Sequence, residues 1–80
     1  MKMKMRKNNM IKTYWENGNL WYIGNYVNKK RHGEWKFFWG NGNLHQKINY
    51  KNGKPHDEWK WFDENGSLIG LGNWPENFPW

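Results

Sequence analysis

Cysteine and alanine are both missing from this 80-residue chain, and valine, serine and threonine occur once each. Without thiols neither a disulfide nor a thiolate metal site can staple the fold, and a reducing compartment is allowed. Ser67 sits in a turn signal, and the spacing suggests no Ser-His-Asp arrangement. There is no run of about 18 apolar residues to span a bilayer, and the N-terminus lacks the apolar segment of a signal peptide. The chain therefore reads as cytoplasmic. Helical periodicity is absent too, which leaves strands and turns.

What the chain has instead is rings. Aromatic residues make up 20% of it and eight are Trp, and few side chains bury more apolar area each. A single domain this short buries only about 60% of the surface its unfolded chain exposes, so the rings must carry the core. The wealth of Lys and Asn without Ala reflects the coding bias of an AT-rich genome, bacterial or viral. The net charge of +6 is unevenly spread: Lys2, Lys4, Arg6 and Lys7 sit in the first nine residues, leaving nine basic against seven acidic groups in the rest. Such a tail either meets an anionic partner or guards a first strand against edge-to-edge pairing.

Residues 34–57, EWKFFWGNGNLHQKINYKNGKPHD, overlay residues 10–33 and 58–80 at an offset of 24. The matches fall in columns: Asn17-Gly18, Asn41-Gly42 and Asn65-Gly66; Leu20, Leu44 and Leu68; Lys12, Lys36 and Lys60; Tyr14, Phe38 and Phe62; Asn25, Asn49 and Asn73. A small supersecondary unit has been copied three times. Asn-Gly between β-formers is a hairpin signal, since a type I′ turn needs positive φ at both central residues. The expected strands are residues 10–15, 20–26, 34–39, 44–50, 58–63 and 68–74, with Lys-rich connections at 27–33 and 51–57. The fold class is all-β, an antiparallel meander of about six strands built from three tandem hairpin repeats (10–33, 34–57 and 58–74). Residues 1–9 form a basic tail or edge strand, and 75–80 a Pro/aromatic cap.

If each Asn-Gly is a two-residue turn, Trp15 lies opposite Leu20, Trp39 opposite Leu44 and Asp63 opposite Leu68. Alternation then separates two faces. Ile11, Trp15, Tyr22, Tyr26, Trp35, Phe37, Trp39, Ile48, Tyr50, Trp59, Trp61 and Trp74 form the core face. Lys12, Tyr14, Trp21, Lys36, Phe38, His45, Lys47, Lys60 and Phe62 form the other. Pro75 cannot continue a ladder. Trp74, Phe78 and Trp80 either fold back over one face or dock against a partner or a second copy.

Candidate chemistry is thin. His32 and His56 are repeat equivalents about 9.6 Å apart, too far to share a zinc whose ligand bonds are about 2 Å. Glu34, Glu58, Asp63 and Glu64 are accounted for as surface carboxylates beside lysines. The Gly patterns are turns that open no helix, so no phosphate loop is present. No catalytic residue, metal or cofactor is expected, and the chain does not read as an enzyme.

The segments YWENGNL, YVNKKRHGEWKFF and YKNGKPHDEWKWFDENG closely resemble the MORN-repeat variant family over residues 10–74, with departures at Asp57, where the preceding copy has Gly33, and at 74–80. The resemblance implies an elongated antiparallel sheet of hairpins. It also implies roles seen among relatives: antitoxins of the YwqK type in bacteria, membrane association and protein contacts in eukaryotes. The binding candidates are Lys12, Tyr14, Trp21, Lys36, Phe38, Lys47, Lys60 and Phe62, with Trp74, Phe78 and Trp80 as interface or cap. One expected function is a module that binds a protein, as an antitoxin or immunity-like inhibitor covering a toxin's active site. The alternative is a sponge-like protein, a viral one included, holding an anionic nucleotide or phosphate ligand between rings and lysines of two subunits. Membrane-surface association ranks third, and a homo-oligomer fits the first two.

Overall fold

The computed structural model describes residues 8–74, which form one antiparallel sheet whose strands lie in chain order: β1 (Asn8–Tyr14), β2 (Leu20–Val27), β3 (Lys30–Phe38), β4 (Leu44–Lys51), β5 (Lys54–Phe62) and β6 (Leu68–Trp74). The six-stranded meander is as the 24-residue period implies. No helix among the described residues is long and apolar enough to cross a membrane. The basic residues 2–7 and the cap residues Pro75, Phe78 and Trp80 lie outside the described residues.

The reversals are distributed differently from the sequence expectation. At the Asn-Gly pairs only the glycines take positive φ, 93° at Gly18, 95° at Gly42 and 92° at Gly66. Gly18 N–H donates to the Trp15 carbonyl (2.9 Å) and Trp15 N–H to the Asn19 carbonyl (2.8 Å), and the same pair of bonds recurs at Trp39 and Asp63. This is a type I turn closed by a left-handed glycine, a three-residue hairpin loop and not the type I′ turn. Tyr14 therefore faces Leu20, Phe38 faces Leu44 and Phe62 faces Leu68, where Trp15, Trp39 and Asp63 were expected. A bulge follows at once, at Trp21, His45 and Ile69. The loop shifts the register by one residue and the bulge shifts it back, so Thr13 faces Tyr22 as a two-residue turn would have placed it.

The type I′ turns are in the segments read as long connections. Asn28 and Lys29 (φ 52° and 69°) join β2 directly to β3, and Asn52 and Gly53 (φ 53° and 84°) join β4 to β5. Strands β3 and β5 thus start four residues before the expected positions 34 and 58. They can do so because Gly33 (φ 78°) and Asp57 (φ 69°) absorb the register offset in a bulge.

The register gathers the expected core face. Ile11 faces Gly24, and Trp35, Ile48, Trp59 and Gly72 face one another in succession across β3 to β6. Trp35 is fully buried. Its ring lies flat on Gly24, where an added Cβ would overlap it, and its indole N–H donates to the Asn25 carbonyl at 3.1 Å. Tyr22, Tyr26, Phe37 and Tyr50 pack round it, with ring centroids 5.2–6.3 Å away. A side chain of this size buries on the order of 200 Å², or roughly 5 kcal/mol at about 25 cal/mol per Å². Arg31 covers the cluster, 4.7 Å from the Trp35 centroid and 5.2 Å from that of Tyr50, whose hydroxyl accepts its hydrogen bond at 3.0 Å. Burial works against the Arg31 charge, but hydrogen bonds and attraction from Tyr26 and Tyr50 outweigh it and raise the pKa.

Successive copies are clasped at the turns. Trp15 Nε1 donates to the Phe38 carbonyl and Trp39 Nε1 to the Phe62 carbonyl, both at 3.1 Å. The Asn17 and Asn19 amides both donate to the Gly40 carbonyl, and the Asn41 and Asn43 amides to that of Glu64. In the third copy the Trp position is Asp63 and the second Asn position is Ser67. Asp63 Oδ1 instead accepts from the Asn65 and Ser67 main-chain N–H groups, closing its own turn.

Candidate functional site

The face opposite Trp35 is ordered in rows that cross the strands. The central row runs Lys12, Ile23, Lys36, Lys47, Lys60, Leu71, each residue facing the next. Toward the Asn-Gly turns lie the facing pairs Tyr14 and Leu20, Phe38 and Leu44, and Phe62 and Leu68. On the other side Glu34 faces Asn49 and Glu58 faces Asn73. Alternation along each strand puts these three rows on one surface because residues two apart point the same way.

The electrostatics are set by the carboxylates. Glu34 takes both Lys36 (3.5 Å) and Lys47 (3.3 Å), and Glu58 takes Lys60 (3.6 Å). These are half-exposed pairs, each worth about 0–1 kcal/mol. Three of the four row lysines thus have a carboxylate partner, two of them sharing Glu34, which leaves four lysines against two glutamates; among the described residues Lys12 has no ion-pair partner. Beside it, Tyr14 is 56% exposed.

Seven of the eight binding candidates therefore share this surface: Lys12, Tyr14, Lys36, Phe38, Lys47, Lys60 and Phe62. Trp21 does not join them. It is the bulged residue, its ring stacks on Trp15 at 4.7 Å and meets Tyr22 edge-on at 5.2 Å, and both neighbours belong to the core face. His45, in the equivalent bulge, stacks on Trp39 at 3.8 Å, and partial burial there lowers its pKa. Plain alternation assigns both to the lysine face, and only the bulge re-aims them. The apolar members Leu20, Ile23, Leu44, Leu68 and Leu71 went unassigned in the sequence reading, although the Leu20, Leu44, Leu68 column was the signal that could have found three of them.

A shallow depression of about 130 Å³ lies at the two type I′ turns, lined by Val27, Asn28, Lys30, Arg31, His32 and Asn52. Among the described residues no three His, Asp or Glu side chains gather as metal ligands. Trp74 packs on Trp59, centroids 6.5 Å apart, at the far end of the core face.

Comparison with curated proteins and with solved structures returned no match. Comparison with protein families did: the MORN repeat variant matches residues 8–28, 31–52 and 58–74, once per copy. With three matched copies spanning the sheet from its first strand to its last, this chain belongs to the MORN repeat variant family.

Proposed function

We propose that the chain is a protein-binding module whose docking surface is the lysine-and-ring face. Repeats of this family are generally non-catalytic binding modules, which is the setting for that reading. The observation that carries it is the placement of Glu34 and Glu58 among the lysines. A groove that tracks phosphates needs uncompensated cations along the strand of charge. A mixed-charge surface with aromatic and Leu side chains between the ion pairs is what a protein partner meets. The finer role is the one the resemblance implies: an antitoxin or immunity-like inhibitor in the cytoplasm, its sheet laid over a toxin's active site.

The test is capture of the partner from the source cell with the wild-type chain and with a Lys36→Glu, Lys47→Glu variant. A protein held by the wild type at raised salt and lost from the variant supports the reading. Binding that collapses steeply as salt rises would point to nucleic acid instead. A second reading rests on Lys12, the uncompensated lysine of the row, beside the exposed ring of Tyr14: a small anionic nucleotide held by charge and stacking. Release of a nucleotide on heating the purified protein would favour it.

A further inference from the structure

Strand β6 is an edge of the sheet, and Leu68–Trp74 contains neither a charged residue nor a proline. Those are the usual devices that keep an open edge from pairing. The opposite edge has them: β1 carries Lys12, and four basic residues precede it in the sequence. Exposed apolar side chains gather at β6 as well. Trp61, Leu68, Ile69 and Leu71 are between 44% and 63% exposed. Ile69 occupies the bulge position from which Trp21 and His45 reach a Trp ring; its own copy has Asp63 there, so it has no ring to lie on.

The direction of the free main-chain groups follows from the ladder. Asp63 N–H donates inward to the Ser67 carbonyl, and the Glu58 carbonyl accepts from Asn49 on the β4 side. By alternation Gly70 and Gly72 turn their peptide groups toward β5, while Leu71 and Asn73 turn theirs to the side on which no further strand pairs among the described residues.

We propose that β6 pairs antiparallel with β6 of a second copy about a two-fold axis at Leu71. Leu71 then exchanges both main-chain hydrogen bonds with its counterpart, and Ile69 lies opposite Asn73 of the second copy. A chain of net charge +6 meets itself most cheaply where its surface is uncharged, and β6 is the edge that offers this. Two-fold pairing is self-complementary and closes, whereas continuing the repeat head to tail from β6 to β1 would build an open filament. The result is a twelve-stranded sheet with two lysine faces on one side. Leu68 and Leu71 also end the docking rows, but self-association of the purified chain needs no partner, so its test does not depend on those rows.

The natural chain has no cysteine, which makes Leu71→Cys a clean probe. Hydrogen-bonded antiparallel partners have Cα atoms about 5.5 Å apart, inside the 4.4–6.8 Å range of about 6 Å spans that a disulfide bridges. Mild oxidation of full-length Leu71→Cys is expected to give a covalent dimer, while Asn73→Cys, roughly 13 Å from its counterpart at about 3.3 Å per residue, should not cross-link. In sedimentation over a concentration series, the wild type should approach twice 9.9 kDa, and Leu71→Lys should stay at the monomer mass while still unfolding in one cooperative transition, its midpoint no longer rising with concentration. A wild type that remains monomeric, equal cross-linking at both positions, or a dimer that survives Leu71→Lys and is broken by Met10→Lys on β1 would each overturn the proposal.

Discussion

Glycine and tryptophan are paired at the centre of this sheet. Gly24 is needed because Trp35 occupies the space a Cβ would take, and Gly72 stands in the same relation to Trp59, whose ring would be 2.7 Å from an added Cβ. Gly24→Ala must push Trp35 off its seat and away from the Asn25 carbonyl. Overpacking of this kind costs about 1–3 kcal/mol, and we expect a loss in that range in urea unfolding followed by Trp fluorescence. The left-handed positions work the other way. Gly33 and Gly53 meet the demand for positive φ without cost, while their repeat equivalents Asp57 (φ 69°) and Lys29 (φ 69°) meet it with a side chain attached. An L-residue there costs about 1–2 kcal/mol, less for Asp, which tolerates the region. Lys29→Gly and Asp57→Gly should each raise the unfolding midpoint, and the Lys29 change should raise it more.

At the scale of the hairpin, what joins one copy to the next is a set of polar clasps. Trp39 Nε1 and the Asn41 and Asn43 amides all end on main-chain carbonyls of the third copy. Each such bond contributes about 0.5–1.5 kcal/mol net. Asn43→Ala should lower stability by that amount and speed hydrogen exchange in the third hairpin before the first. The Trp39 and His45 stack adds a pH dependence. Burial holds the folded-state pKa of His45 below 6.5, so the unfolded chain takes up the proton more readily. Its contribution to stability is complete above pH 6.5 and is lost as the pH falls below that value. The unfolding midpoint should decline on acidification through this range, and His45→Phe, which keeps the stack, should flatten that decline.

At the largest scale the described residues form one layer, with no second sheet or helix among them over either face. Its buried apolar side chains, Trp35 and Ile48, sit on β3 and β4 in the middle of the strand order. Protection against hydrogen exchange should therefore peak in β3 and β4 and fall toward β1 and β6. A flat profile across the six strands would show that stability is carried by the clasps and not by the ring cluster. The same single-layer plan leaves two surfaces for partners, the lysine face and the β6 edge, which meet at Leu68 and Leu71.

The 24-residue period, the Asn-Gly punctuation and the alternation of rings with lysines were enough to read six strands, their meander order, the core face and seven of the nine residues assigned to the opposite face. These are local or translational properties: a turn residue acts on its neighbours, and a repeat carries every column to the next copy at one spacing. Which reversal was tight and which was bulged was not legible, because Asn28-Lys29 lacks the glycine that marks a type I′ turn and Asn17-Gly18 uses its glycine for the left-handed position that closes a type I turn instead. Trp21 and His45 were assigned to the wrong side for the same reason, since a bulge breaks alternation at a residue whose identity gives no sign of it. The carboxylate partner of Lys47 and the exposure of Ile69 were likewise decided by tertiary structure. Glu34 and Glu58 meet Lys36 and Lys60 two residues along their own strands, but the Glu34 to Lys47 pair depends on which strands are neighbours, and a side chain is exposed when the ring that would cover it is absent from the facing strand.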